Sequence, residues 1–117
     1  MQDAHVGFLL HRRGQIGHQA LLVGIGDRQR QQPVAVALGR HGIRCNSVLP
    51  GTIATDINKD DLADPKKREY MEGRIPLGRL GRPEDIASVV AFLSSDMASY
   101  MSGAALLVDG GAFANFQ

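Results

Sequence analysis

Ligand-holding or reactive chemistry has three candidate seats in the first half of this sequence. Ala20-Leu21-Leu22-Val23 runs into Gly24-Ile25-Gly26, the opening of a Gly-x-Gly-x-x-Gly turn that presents a pyrophosphate to a helix N-terminus. The third glycine, which close helix packing requires, is replaced by Gln29, and Asp27-Arg28-Gln29-Arg30-Gln31-Gln32-Pro33 shows no apolar face and ends at a proline. No helix is expected after that strand, and glycine-rich composition accounts for the match. His5, His11 and His18 have only Asp3 and Asp27 as carboxylate helpers. Skewed composition explains them better than a metal site. Cys45, on the apolar phase with Ile43 and Val48 near it, reads as a packing residue rather than a nucleophile.

These residues sit in a chain of 117, room for one compact domain. Apolar residues make up 44% and charged residues 21%, and the net charge is +1. That balance gives no basis for a nucleic-acid or membrane partner held by bulk charge. A single cysteine excludes a disulfide scaffold and fits a reducing compartment. No apolar run approaches the ~20 residues of a membrane span. The Arg12-Arg13 pair is followed by Gln15, His18 and Gln19 rather than by an apolar stretch, so secretion is not expected and the location read from the sequence is cytoplasmic.

The chain has two unlike parts. Residues 1–33 lack Ser, Thr, Lys, Tyr, Glu, Asn and Cys, yet hold six Gln and three of the four His. This is an atypical segment, with the composition of an out-of-frame translation or a disordered arm. From Val34 the mixture becomes ordinary. Val34–Leu38 reads as the last turns of a buried helix, stopped by Gly39 and Gly42. Ile43–Leu49 alternates toward a strand closed by Pro50-Gly51. Asp64-Pro65 starts a short polar helix reaching about Glu72, either a solvated face or a lid over a site. Pro83-Glu84-Asp85 opens another, whose Ile86, Val89, Val90 and Leu93 form a buried stripe. Ala104–Val108 is a continuous apolar run, as in a strand covered on both faces. Strand, helix and strand in this order make a βαβ unit of a doubly wound α/β fold.

Three segments then resemble one family. Ile43-Arg44-Cys45-Asn46-Ser47-Val48-Leu49-Pro50-Gly51-Thr52-Ile53-Ala54-Thr55 is similar to the Ile-Arg-Val-Asn-x-Val-x-Pro-Gly-x-Ile-x-Thr signature of short-chain dehydrogenases/reductases. Pro76-Leu77-Gly78-Arg79-Leu80-Gly81-Arg82-Pro83-Glu84-Asp85-Ile86-Ala87 resembles that family's Pro-x-Gly-Arg-x-Gly-x-Pro-Glu-(Asp/Glu)-Ile-Ala segment, and Val108-Asp109-Gly110-Gly111 its closing strand. The similarity runs through residues 34–117, and within the family it is greatest to sugar 1-dehydrogenases. The resemblance implies the C-terminal part of a Rossmann-type doubly wound parallel sheet, with its N-terminal half missing. It implies hydride transfer between NAD or NADP and a sugar such as L-rhamnose, or another alcohol/carbonyl substrate. It also implies assembly as a homo-oligomer. Carried over residue by residue, Pro50, Gly51, Thr52, Ile53 and Thr55 contact the carboxamide end of the nicotinamide. A glycine lets backbone approach a ligand closely, and a carboxamide wants both donors and acceptors; a structural turn is the other reading of the same residues.

The departures concern chemistry. The family relays its proton through a Tyr whose pKa is lowered by a Lys four residues on. Here Tyr70 is followed at the fourth place by Arg74 and Tyr100 by Ala104, and neither precedes the Pro-Gly turn. No catalytic residue is therefore assigned. With C-rich codons, shifting Phe8–Arg13 by one base can return Ser-Ser-Ser, like the end of the family's fifth strand, but the same shift returns no Tyr-x-x-x-Lys near residue 20. The sequence reads as an inactive fragment of an oxidoreductase, with a module that docks on intact homologues, or a degenerate gene product, as alternatives.

Overall fold

A computed structural model describes residues 20–25 and 28–115. Its elements are β1 (Ala20–Ile25), α1 (Arg28–Gly39), β2 (Ile43–Pro50), α2 (Lys59–Ala63), α3 (Pro65–Gly73), α4 (Pro83–Ser94) and β3 (Ala105–Val108). The strands form one sheet in the order β1-β2-β3. β1 and β2 pair in parallel from Ala20 opposite Ile43 to Ile25 opposite Val48. Parallel neighbours need a crossover, and α1 and α4 lie in the two connections. This is the expected α/β architecture. The chain forms two compact units, Met1–Leu49 with Ser88–Leu106, and Pro50–Ala87 with Leu107–Gln117.

In the first unit the core is β2, buried without a break from Arg44 to Val48. Two of its polar residues, Asn46 and Arg44, have side-chain partners there, whereas the buried Ser47 hydroxyl has none. The Asn46 amide donates to the Met101 carbonyl at 2.9 Å and its oxygen accepts from the Ala104 N–H at 3.1 Å. The strand thereby takes hold of the segment that leads into β3. Backbone bonds continue the pairing, from Gly103 N–H to the Cys45 carbonyl and from Ser47 N–H to the Ala104 carbonyl.

Arg44 solves a different problem. The last carbonyls of a helix have no partner within it, and Arg44 Nη2 donates to the Leu93 carbonyl in the final turn of α4 at 2.8 Å. Nη1 reaches Met101 at 3.2 Å. A guanidinium also suits the negative end of the helix dipole. Burial pulls the Arg44 pKa down, and the Asp96 carboxylate pulls it back up.

Several expectations need correction. A helix does follow β1: α1 starts at Arg28 and runs through Pro33. The interior proline costs about 3 kcal/mol. Offsetting it, Gln31 and Ala35, one turn apart, are both buried, and the Gln31 amide donates to the Cys45 carbonyl. The buried face of α1 is thus partly polar, so apolar periodicity could not reveal it. α1 also crosses the composition change at residues 33 and 34. Nor are Val34–Leu38 a buried run, because Val36 is 83% exposed.

The two strands exchange their expected environments. β2 does not alternate, since it lies between two neighbours with both faces covered, whereas β3 leaves Leu107 51% exposed. The α4 stripe is likewise incomplete: Leu93 is fully buried, while Ile86, Val89 and Val90 are half-buried. Cys45 is buried as expected, and burial pushes its thiol pKa up, despite an opposing hydrogen bond from Gln31.

In the second unit Ile53 and Gly81 form a parallel bridge, with Ala54 N–H on the Gly81 carbonyl at 2.9 Å and Gly81 N–H on the Thr52 carbonyl at 3.0 Å. Ile75 and Leu80 are its buried apolar side chains among the described residues. α3 begins as expected at Asp64, whose side chain accepts from the Lys66 N–H at 2.9 Å with Pro65 in the first helical position. No α3 residue is fully buried, and its surface carries the Lys67–Asp61 and Arg68–Glu72 pairs. The first turn of α4 starts at Pro83, also as expected.

Candidate nicotinamide site

All five predicted site residues fall in one stretch of the second unit. Pro50 ends β2, and Gly51 donates its N–H to the Val108 carbonyl at 2.9 Å. The reason for a glycine at 51 differs from the one anticipated. A Cβ there would lie 2.6 Å from Asp109 Cβ and 2.7 Å from Asp109 Cα, so Gly51 makes room for protein. Thr52 and Ile53 face a cleft of about 180 Å³ that is also lined by Leu77, Arg79, Asp85 and Asp109. Thr55 lies outside that lining and caps a 3₁₀ turn at Asp56–Asn58, its N–H donating to Asn58 Oδ1 at 2.9 Å. Asn58 also donates to the Ile53 carbonyl at 2.9 Å. None of these contacts uses the Ile53 N–H or the Thr52 hydroxyl.

The sequence reading gave no site role to Asp109 or Arg79, and read Asp85 only as an acid at the start of α4. Asp109 accepts from Gly111 N–H at 2.9 Å and from Phe113 N–H at 2.8 Å, a turn that Gly110 and Gly111 permit by adopting φ of +64° and +89°. An aspartate before two glycines is a local signature of such a turn. Arg79 grips Asp85 with both terminal nitrogens, at 2.8 and 3.2 Å. Asp85 also accepts from the Arg82 N–H at 2.8 Å, reaching back over the start of α4.

The Arg79 hydrogen bond, then that from the Arg82 backbone, hold the Asp85 carboxyl down at about 2. Its unfolded value is about 3.9, so the folded state is favoured by ionisation. That contribution is complete above pH 4 and is lost as pH falls through 2. Wild-type protein is therefore expected to exceed Asp85→Asn in urea midpoint at pH 7, with the gap closing between pH 4 and 2. A gap independent of pH would refute this account of the pair.

His5, His11 and His18, and Gly26 of the Gly-x-Gly match, lie outside the described residues. Among the described residues no group of three His, Cys, Asp or Glu side chains is placed to hold a metal, and no helix is long and apolar enough to cross a membrane. Tyr100 is fully exposed. Tyr70 has Arg74 against it, with the guanidinium carbon 5.7 Å from the ring centroid and Nη1 donating to the phenol oxygen at 3.2 Å.

Residues 29–112 match the family described as enoyl-(acyl carrier protein) reductase. The chain belongs to the short-chain dehydrogenase/reductase family. It is 68% identical over 92 residues to an L-rhamnose 1-dehydrogenase (NAD(P)(+)) of Sphingomonas sp. strain SKA58, covering 79% of this chain and 36% of that protein. It is 66% identical over 86 residues to the corresponding enzyme of Azotobacter vinelandii, covering 74% and 34%. Among solved structures, an Agrobacterium tumefaciens protein with bound NADP superposes with a TM-score of 0.76 at 31% identity, over 84% of this chain and 48% of that one. The chain thus spans about a third of the length of these curated relatives. The relatives and this structural neighbour bear out the oxidoreductase, sugar-dehydrogenase and NAD(P) readings at the level of the family.

Proposed function

We propose that this chain carries the nicotinamide-facing C-terminal part, residues 34–117, of an NAD(P)-dependent sugar 1-dehydrogenase of the L-rhamnose type, and that alone it does not turn over. One observation carries the reading: the Ile53 N–H and the Thr52 hydroxyl are left unused at the cleft, a donor and a donor-acceptor that fit a carboxamide. Pro50 and Gly51 fix the turn that presents them, and Thr55 with Asn58 holds its far end. The space of about 180 Å³ suits the nicotinamide ring rather than a whole dinucleotide. When bound, that ring supplies the hydride acceptor. The chain's own residues orient it, and no Tyr-x-x-x-Lys accompanies them.

Saturation-transfer NMR with NAD tests the reading. The nicotinamide protons are expected to take up more saturation than the adenine protons. Thr52→Val is expected to weaken binding about five-fold, the loss of one hydrogen bond of about 1 kcal/mol. Equal or adenine-dominated saturation would reject the assignment, and NADH production from L-rhamnose above background would reject inactivity.

The exposure of Val36 and Leu107 favours a second reading, a module that docks on an intact homologue. Co-elution with a full-length L-rhamnose 1-dehydrogenase distinguishes the two.

A further inference from the structure

A second cleft in the Pro50–Ala87 and Leu107–Gln117 unit, of about 480 Å³, is lined by Thr52, Tyr70, Met71, Arg74, Ile75 and Asn115 among others. Its size is within the range used by small-molecule ligands. Its chemistry is set by Arg74. One guanidinium nitrogen is spent on the Tyr70 phenol, and the aromatic ring holds the group's orientation. The Arg74 backbone is fixed too: its N–H bonds the Met71 carbonyl at 3.3 Å, and its carbonyl accepts from the Asn115 amide at 3.3 Å.

Among the described residues no carboxylate pairs with Arg74. Two carboxylates of the same unit are engaged elsewhere. Glu72 is held by Arg68 at 2.9 Å, and both Asp109 oxygens accept backbone N–H groups. Tyr70 and Asn115 bring a phenol hydroxyl and an amide to the lining, with Met71, Ile75 and Ala112 as the apolar part of the wall. A planar fork of donors without an anion matches a carboxylate in two-point fashion. The hydroxyl and amide match the alcohol groups of a polyol.

We propose that this cleft binds a sugar acid, with Arg74 on its carboxylate. The inference rests on the sugar-dehydrogenase reading, because oxidation of a sugar at C1 gives a lactone whose hydrolysis gives such an acid. It adds that the acid is held in preference to the neutral sugar.

The test titrates the full chain with sodium L-rhamnonate and, separately, with L-rhamnose, using ligand-observed NMR and NAD saturation transfer as a control in each sample. Rhamnonate is expected to bind at least ten-fold more tightly than rhamnose. Arg74→Gln is expected to abolish that difference, weakening rhamnonate at least ten-fold more than rhamnose. Arg74→Lys is expected to keep part of it, since a point charge replaces the fork. Tyr70→Phe, which retains the ring but not the phenol oxygen, is expected to reduce it two- to five-fold. Equal affinity for acid and neutral sugar, absence of rhamnonate binding, or an unaltered preference in Arg74→Gln overturns the proposal. If NAD saturation persists in that case, only the sugar-acid assignment fails. If NAD saturation is absent as well, the parent reading fails with it. Far-UV circular dichroism of each variant separates a lost contact from a lost fold.

Discussion

Replacing Arg44 by methionine is expected to lower the stability of the protein by about 3 kcal/mol. Methionine keeps most of the apolar stem but removes the fork that serves the Leu93 and Met101 carbonyls. Arg44 is only 8% exposed, so water cannot readily replace it at those acceptors. The Leu93 carbonyl lies in the last turn of α4, where no further backbone donor is available. Arg44→Lys is expected to recover part of the loss, having one ammonium to offer where two separate carbonyls must be reached. Urea unfolding followed by circular dichroism measures both. A loss under 1 kcal/mol for Arg44→Met would show that the helix end finds donors elsewhere.

Gly51→Ala is the second large effect, with an expected loss of about 2–3 kcal/mol. The new methyl meets the backbone of Asp109, with Cα at 2.7 Å, and not the end of a flexible side chain. Relief requires Asp109 to retreat, which pulls on the Gly51 N–H bond to the Val108 carbonyl. Gly73→Ala is the matched control, because nothing lies within 4 Å of a Cβ built there. It is expected to leave stability unchanged or raise it by up to about 1 kcal/mol, as alanine does at helical positions. The NAD saturation signal should fall in Gly51→Ala and persist in Gly73→Ala. Equal stability of the two variants would show that the Gly51–Asp109 contact yields without cost.

The beginnings of α3 and α4 were legible because their signals are local. Asp64-Pro65 and Pro83-Glu84-Asp85 each carry cap, proline and acid within three residues. α1 was not legible, because its buried face includes Gln31, and only contact with the Cys45 carbonyl explains why an amide lies inside. The coverage of β2 and β3 was likewise hidden. Strand order decides which strand is enclosed, and residue patterns within a strand do not encode order. Family signature placed Pro50, Gly51, Thr52, Ile53 and Thr55 in one stretch of chain. It did not disclose that the glycine answers to Asp109, distant in sequence, or that Arg79 and Asp85 flank the same space. Motif matching reports which residues recur. It does not report what each one touches.

Asp85 and Asp109 both line the smaller cleft; Asp85 accepts three hydrogen bonds and Asp109 two. The Asp85 carboxyl, held down at about 2 by Arg79 and the Arg82 backbone, is poor at collecting a hydrogen ion from an alcohol, however close it comes. On the nicotinamide assignment proposed above, this carboxylate leaves the cleft to hold a ring and not to receive the hydrogen ion an oxidised hydroxyl must shed.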